Sequence, residues 1–267
     1  MSTIRSFSCL QSPFSTTSLR TSSPLYGKGL RTLAIATALT LTAAGVLIFF
    51  YAPLDADQGV IQKIFYVHVP LAIVALCGFV AGGLMAIQHL RTGDRSWDMR
   101  SYVAIHLSII FGVGVLITGS IWAKRSWGHW WVWDEPVLVS FLIVFLLYCC
   151  YQPLRFAIAD RERQARYASV FAIAAGAFVP INFVAVRMAV QEVHPRVLSR
   201  TGNLPGDMQL TFLVALAGAV LLFLTLWKLE LTSKNASEQL GRLRARLEAA
   251  PPSGAAPEAP PAPVGVS

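Results

Sequence analysis

Five of the seven tryptophans, Trp122, Trp127, Trp130, Trp131 and Trp133, fall within twelve residues, and the densest part is the run Trp127-Gly128-His129-Trp130-Trp131-Val132-Trp133-Asp134. An indole is flat, apolar and polarisable and carries a single N–H, which suits it either to a membrane–water boundary or to a planar aromatic ligand. A boundary belt spreads its tryptophans over several helix ends, whereas these are gathered in one segment, so a ligand platform is the favoured reading. If the segment is helical, Trp127, Trp130, Trp131 and Asp134 fall at i, i+3, i+4 and i+7 and form one face. Asp134 would then supply an acceptor for the ligand or for a neighbouring arginine.

Five histidines accompany this run. His68 lies in Phe65-Tyr66-Val67-His68-Val69-Pro70 and His194 in Val193-His194-Pro195. Imidazole is a favoured axial ligand of haem iron, and porphyrin is a large, flat, apolar cofactor, so two histidines from separate segments beside an indole platform describe a haem site. His129 is a rival ligand within the tryptophan run. His89 follows His68 by 21 residues, about 31 Å along a helix, too far to share one iron; with His106 it is expected to have an ordinary structural role. No CxxC or CxxCH spacing occurs, so neither a zinc site nor a covalent c-type haem site is encoded, and Cys77, Cys149 and Cys150 read as small apolar residues.

Whether these groups meet depends on the elements that carry them. Of 267 residues, 55% are hydrophobic and 13% charged, and the mean hydropathy is +0.56; an ordinary soluble domain is nearly excluded and a lipid bilayer is the natural solvent. The net charge of +8 is scattered between apolar runs, which argues for membrane topology and against a nucleic-acid surface. Six segments are long and apolar enough to span as helices: 33–51, 64–87, 102–123, 136–151, 168–188 and 208–227. The expected fold is therefore all-α, a polytopic membrane protein of six transmembrane helices. Sixteen of the 22 Lys and Arg residues lie in the two tails and in the second and fourth connections. The positive-inside rule then puts both termini in the cytoplasm, and the tryptophan run, His68 and His194 on the outer side.

The expected organisation is a disordered N-terminal tail over 1–31, a six-helix membrane domain over 32–230 with its outer tryptophan loop at about 122–135, and a cytoplasmic tail over 231–267 whose Pro/Ala-rich end is disordered. A short charged helix is expected between Ser237 and Ala249. The Ser/Thr/Arg-rich N-terminus fits a bacterial cytoplasmic tail better than a transit peptide, placing the chain in a bacterial inner membrane rather than an organellar one. Lys124, Arg125, Arg187 and Arg196 are the outer-face cations available to haem propionates, although Arg187, ending an apolar span, could equally snorkel to the boundary. Pro180 and Asn182 are expected to interrupt the fifth span, shaping a cavity or a kink.

The tryptophan run resembles the WWD signature of the haem-handling proteins of cytochrome c maturation. With six spans, a histidine just before Val69-Pro70 and another in the fifth connection, the chain is most similar to the CcmC family, haem exporter protein C, over roughly residues 33–230. That resemblance implies haem b held at the outer face, with His68 and His194 as axial ligands and Trp127, Gly128, Trp130, Trp131, Trp133 and Asp134 as the motif residues against the porphyrin. It implies presentation of the haem to a CcmE-like periplasmic chaperone, in company with CcmA, CcmB and CcmD-like subunits. One position departs from the pattern: the basic residue two places after the motif aspartate is Pro136 here, preceded by Glu135, so Arg125 or Arg187 would have to serve as the cation. Such a protein is a scaffold more than a catalyst. The alternatives are a CcsA- or CcmF-like cytochrome c synthase subunit, against which the length argues, a b-type redox subunit using His89 and His106, and a tryptophan cage for quaternary amines.

Overall fold

The computed structural model describes residues 29–189, 193–194 and 204–249, and among these the regular structure is helical apart from an isolated bridge between Asp55 and Gly59. Six helices are long and apolar enough to cross a membrane, as the hydropathy pattern requires. They are α1 (Leu30–Val46, closed by a π-helical turn at Leu47–Tyr51), α2 (Phe65–Thr92, led in by a 3-10 turn at Val60–Ile64), α3 (Arg95–Trp127), α4 (Pro136–Phe156), α5 (Arg161–Met188) and α6 (Gly206–Ala249). The expectations for 1–28 and 250–267, including a disordered N-terminal tail and Pro/Ala-rich end, fall outside the described residues.

The helices outrun the apolar windows on one side of the bundle. Helix α3 begins at Arg95 rather than 102 and α5 at Arg161 rather than 168, because Asp94 and Asp160 cap their first turns by accepting from the backbone N–H groups of Ser96 and Arg163. Hydropathy marks only the part of a helix that lipid would surround; capping chemistry sets where the helix starts. Helix α6 likewise runs unbroken to Ala249, so the separate short helix expected after Ser237 is instead the continuation of the sixth span. Pro180 does not end α5, which remains helical to Met188.

Helix α2 is central and packs against α3, α5 and α6, while α1 lies on α6 and α4 on α5. Lipid removes most of the hydrophobic drive between helices, so close approach and polar pairing carry more of the packing. Gly83 and Gly176 let α2 and α5 touch backbone to backbone: a Cβ on Gly176 would come within 3.2 Å of the Gly83 Cα. Beside them Phe79 stacks on Tyr148 at 3.8 Å between ring centroids. Arg155, expected in a connection, is instead inside α4, buried, and joins Asp98 of α3 through two bonds of 2.7 Å. A bidentate pair of this kind satisfies both charges away from water.

Candidate functional site

At the end of the bundle opposite the Arg155–Asp98 pair, a cavity of about 240 Å³ opens between α2, α3, α4 and α5. Its inner end reaches Leu76, Val144 and Val179, the last two part of the buried core. Its outer end is made by His68, Trp122, Trp127, Trp130, Trp131, Arg187 and His194. Two histidines separated by 126 positions, four of the five clustered tryptophans and one arginine thus line the same space.

His68 stands in the first turn of α2 and is half-buried. Its Nδ1 lies 3.0 Å from the Thr118 hydroxyl of α3. That hydroxyl donates its proton to the Gly114 carbonyl at 2.7 Å, so toward His68 it accepts and Nδ1 carries the hydrogen. Nε2 is then the ring nitrogen with a lone pair, the form in which imidazole binds a metal. Gly119 makes room for the ring: a Cβ there would come within 2.8 Å of His68 Cε1.

The tryptophan run does not form the helical face that its spacing suggested. Helix α3 stops at Trp127 because Gly128 adopts a left-handed conformation, φ +80°, which glycine reaches without the Cβ penalty. Helix α4 starts with Pro136 at its first position, and Glu135 before it is extended, as a residue preceding proline must be. Residues 128–135 are therefore a loop strung between these two breaks. The loop is tied down locally: Lys124 donates to the Gly128 carbonyl at 2.9 Å, and the Trp122 indole N–H donates to Gln58 at 2.9 Å. Trp122 meets Trp127 edge to face at 4.9 Å, and Trp127 in turn meets His194 at 6.3 Å. The Trp131 indole N–H is buried and makes no hydrogen bond among the described residues, beside an apolar cavity.

The remaining candidates lie apart. Gly128, His129, Trp133 and Asp134 belong to the loop but not to the cavity wall, and His129 and Trp133 face outward. Arg125 lines a different cavity, between α1, α2 and α6, whereas Arg187 lines this one and rests on the Phe183 ring at 4.9 Å. Lys124 points away to Gly128 and Trp130; Arg196 lies outside the described residues. His89 and His106 are engaged elsewhere, by the Asp94 carbonyl at 3.0 Å and by Gln152 at 3.3 Å. Two site residues had no signal in a single sequence, Thr118 and Gly119, which are ordinary within an apolar helix. Asn182, expected to shape a cavity or a kink, lines the cavity, and its amide donates to the Ser140 carbonyl at 3.5 Å across the α4–α5 wall.

Six apolar helices around a laterally walled cavity with an indole and imidazole rim define a polytopic helical membrane protein with an apolar cavity at one end of its bundle. Its lineage is also defined. Residues 14–246 match the family model described as Heme exporter protein C, and the chain belongs to that family. It is similar to the Heme exporter protein C of Rhodobacter capsulatus, 32% identical over 63% of this chain and 69% of that one. It also resembles those of Paracoccus denitrificans, 29% identical over 79% and 89%, and Bradyrhizobium diazoefficiens, 34% identical over 73% and 74%.

Proposed function

We propose that this protein holds haem b at the outer face of a bacterial inner membrane, both termini in the cytoplasm, and presents it to a CcmE-like chaperone during cytochrome c maturation, together with CcmA, CcmB and CcmD-like subunits. The observation that carries this reading is the convergence of His68, His194, Trp127, Trp130, Trp131 and Arg187 on one apolar cavity. The groups suit the cargo. His68 offers Nε2 as a ligand from a rigid helix, and His194 offers a second imidazole from a connecting segment. Trp127 and Trp131 give flat apolar surface, the Trp131 N–H and the Arg187 guanidinium are donors for a carboxylate such as a propionate, and Asn182 is a further polar group in the wall. The enclosed volume takes only part of a macrocycle, and the rest would lie against Trp130 and Phe183, both at least half exposed at the rim.

Handover requires binding that is oriented yet reversible. One ligand on a helix and one outside the helices suits transfer better than two ligands locked inside a bundle. A redox cytochrome built on His89 and His106 finds no support, since neither ring lines the cavity that gathers His68, His194 and the indoles. The test is the absorbance spectrum of the purified protein. His68→Ala and His194→Ala are each expected to change the haem spectrum, and His89→Ala to leave it alone; equal loss from all three would overturn the assignment.

A further inference from the structure

Glu135 sits next to the position at which the chain departs from its motif: a carboxylate between the tryptophan loop and Pro136, fully buried at 0% exposure. A buried carboxylate must be satisfied by charge-assisted hydrogen bonds or by a cation. As the residue before the first turn of α4 it is placed to cap that helix, yet its side chain makes no such bond, and Pro136 has no N–H to offer. Instead Glu135 Oε2 accepts from two consecutive backbone N–H groups of the segment after α5, those of Val193 at 3.0 Å and His194 at 3.2 Å.

We infer that Glu135 is the positioning residue for His194, a latch that fastens the backbone of the second imidazole to the start of α4 and so sets the reach of its ring into the cavity. The inference rests on the proposed haem site and deepens it. The latch joins the two pieces that no helix holds in register. The tryptophan loop ends at Glu135, the segment carrying His194 leaves α5 after Met188, and the bonds run between them. The edge-to-face contact of His194 with Trp127 is then a consequence: with the His194 backbone tied to one end of the loop, its ring falls against the other end. A carboxylate suits this better than a neutral acceptor, because one oxygen serves two amides at once and charge-assisted bonds are about twice as strong as neutral ones. The bonds to Val193 and His194 are hydrogen bonds to backbone amides, a kind of tie that forms and breaks reversibly.

The latch is tested on the full chain in lipid nanodiscs by hydrogen exchange and by haem absorbance, for Glu135→Ala, Glu135→Gln and, as a control, His194→Ala. In haem-free protein Glu135→Ala is expected to speed exchange at the Val193 and His194 amides by about tenfold or more, while Glu135→Gln, which keeps an acceptor of the same reach, retains much of the protection. With haem, Glu135→Ala should show the same spectral change as His194→Ala, reversed by added imidazole that fills the vacated ligand position, and Glu135→Gln should stay near wild type. Unchanged amide protection in Glu135→Ala would overturn the latch. So would lost protection with an untouched spectrum, or a spectral loss that imidazole does not repair. If His194→Ala itself leaves the spectrum unaltered, the ligand reading of His194 falls, and the amide exchange of haem-free Glu135→Ala still decides whether the latch exists.

Discussion

A ring nitrogen binds metal only if its hydrogen is elsewhere, and at His68 the Thr118 hydroxyl and the Val115 backbone carbonyl both favour that. Thr118 gives its own proton to the Gly114 carbonyl and accepts from His68 Nδ1. Replacing it with the isosteric valine keeps the shape and removes the acceptor. Thr118→Val is therefore expected to weaken haem retention roughly tenfold or more, the usual cost of losing the partner behind a histidine ligand, while leaving helix content and membrane insertion unchanged; haem titration followed by absorbance checks it. Wild-type affinity in that variant would mean that the Val115 carbonyl and the Gly119 notch suffice to hold the ring. No pattern in the sequence marks Thr118, because its role depends on α2 and α3 lying side by side. His68 was visible because an imidazole among apolar residues is costly and therefore conspicuous.

Between residue and fold, the loop at 128–135 shows how spacing misleads. The i, i+3, i+4, i+7 positions of Trp127, Trp130, Trp131 and Asp134 predict one face only while the helix continues, and Gly128 and Pro136 stop it at both ends. The punctuation was in the sequence, and it outweighs periodicity over so short a stretch. The outcome places Trp127 and Trp131 on the cavity and leaves Trp133 70% exposed. Trp130→Ala combined with Trp131→Ala is expected to lower haem transfer to the chaperone without impairing membrane insertion. Unchanged transfer would return these rings to the role of interfacial anchors. At the far end of the bundle the Asp98–Arg155 pair joins α3 to α4, and Tyr151 adds a third oxygen to the guanidinium. Asp98→Ala leaves a buried cation unpaired and is expected to cost about 3–5 kcal/mol, seen as a lowered Tm, with much of it recovered when Arg155 is replaced by Met in the same protein.

At the scale of the whole molecule the bundle was legible in advance because lipid leaves a helix few options: six apolar runs, six helices. The helix ends were not, since α3, α5 and α6 extend through polar residues under the control of caps and ion pairs such as Lys234–Glu230. The site was half legible. Residue chemistry singled out the histidines and indoles and the charge pattern put them on one face, but the wall that joins them, from Gly119 to Asn182, exists only in three dimensions. Orientation is checked with single cysteines at His129 and at Arg161 in a background lacking Cys9, Cys77, Cys149 and Cys150. A membrane-impermeant maleimide is expected to label the first from the periplasm and the second only after the membrane is opened, and the reverse would invert the topology.

Helix α6 holds 44 residues, about 66 Å of axis, against a hydrocarbon slab of roughly 30 Å. Its apolar part ends near Trp227, and Lys234 rests on the Tyr102 ring at 4.7 Å, bracing the first turns past that point against α3. Beyond this brace the helix is a mast. It carries the chain's last described residue some 30 Å from Trp227, so any protein engaging that tip meets it at a fixed height and azimuth. Removing four residues from the shaft would lower the tip by about 6 Å and rotate it by about 40°, enough to part a docked companion from a bundle otherwise unchanged.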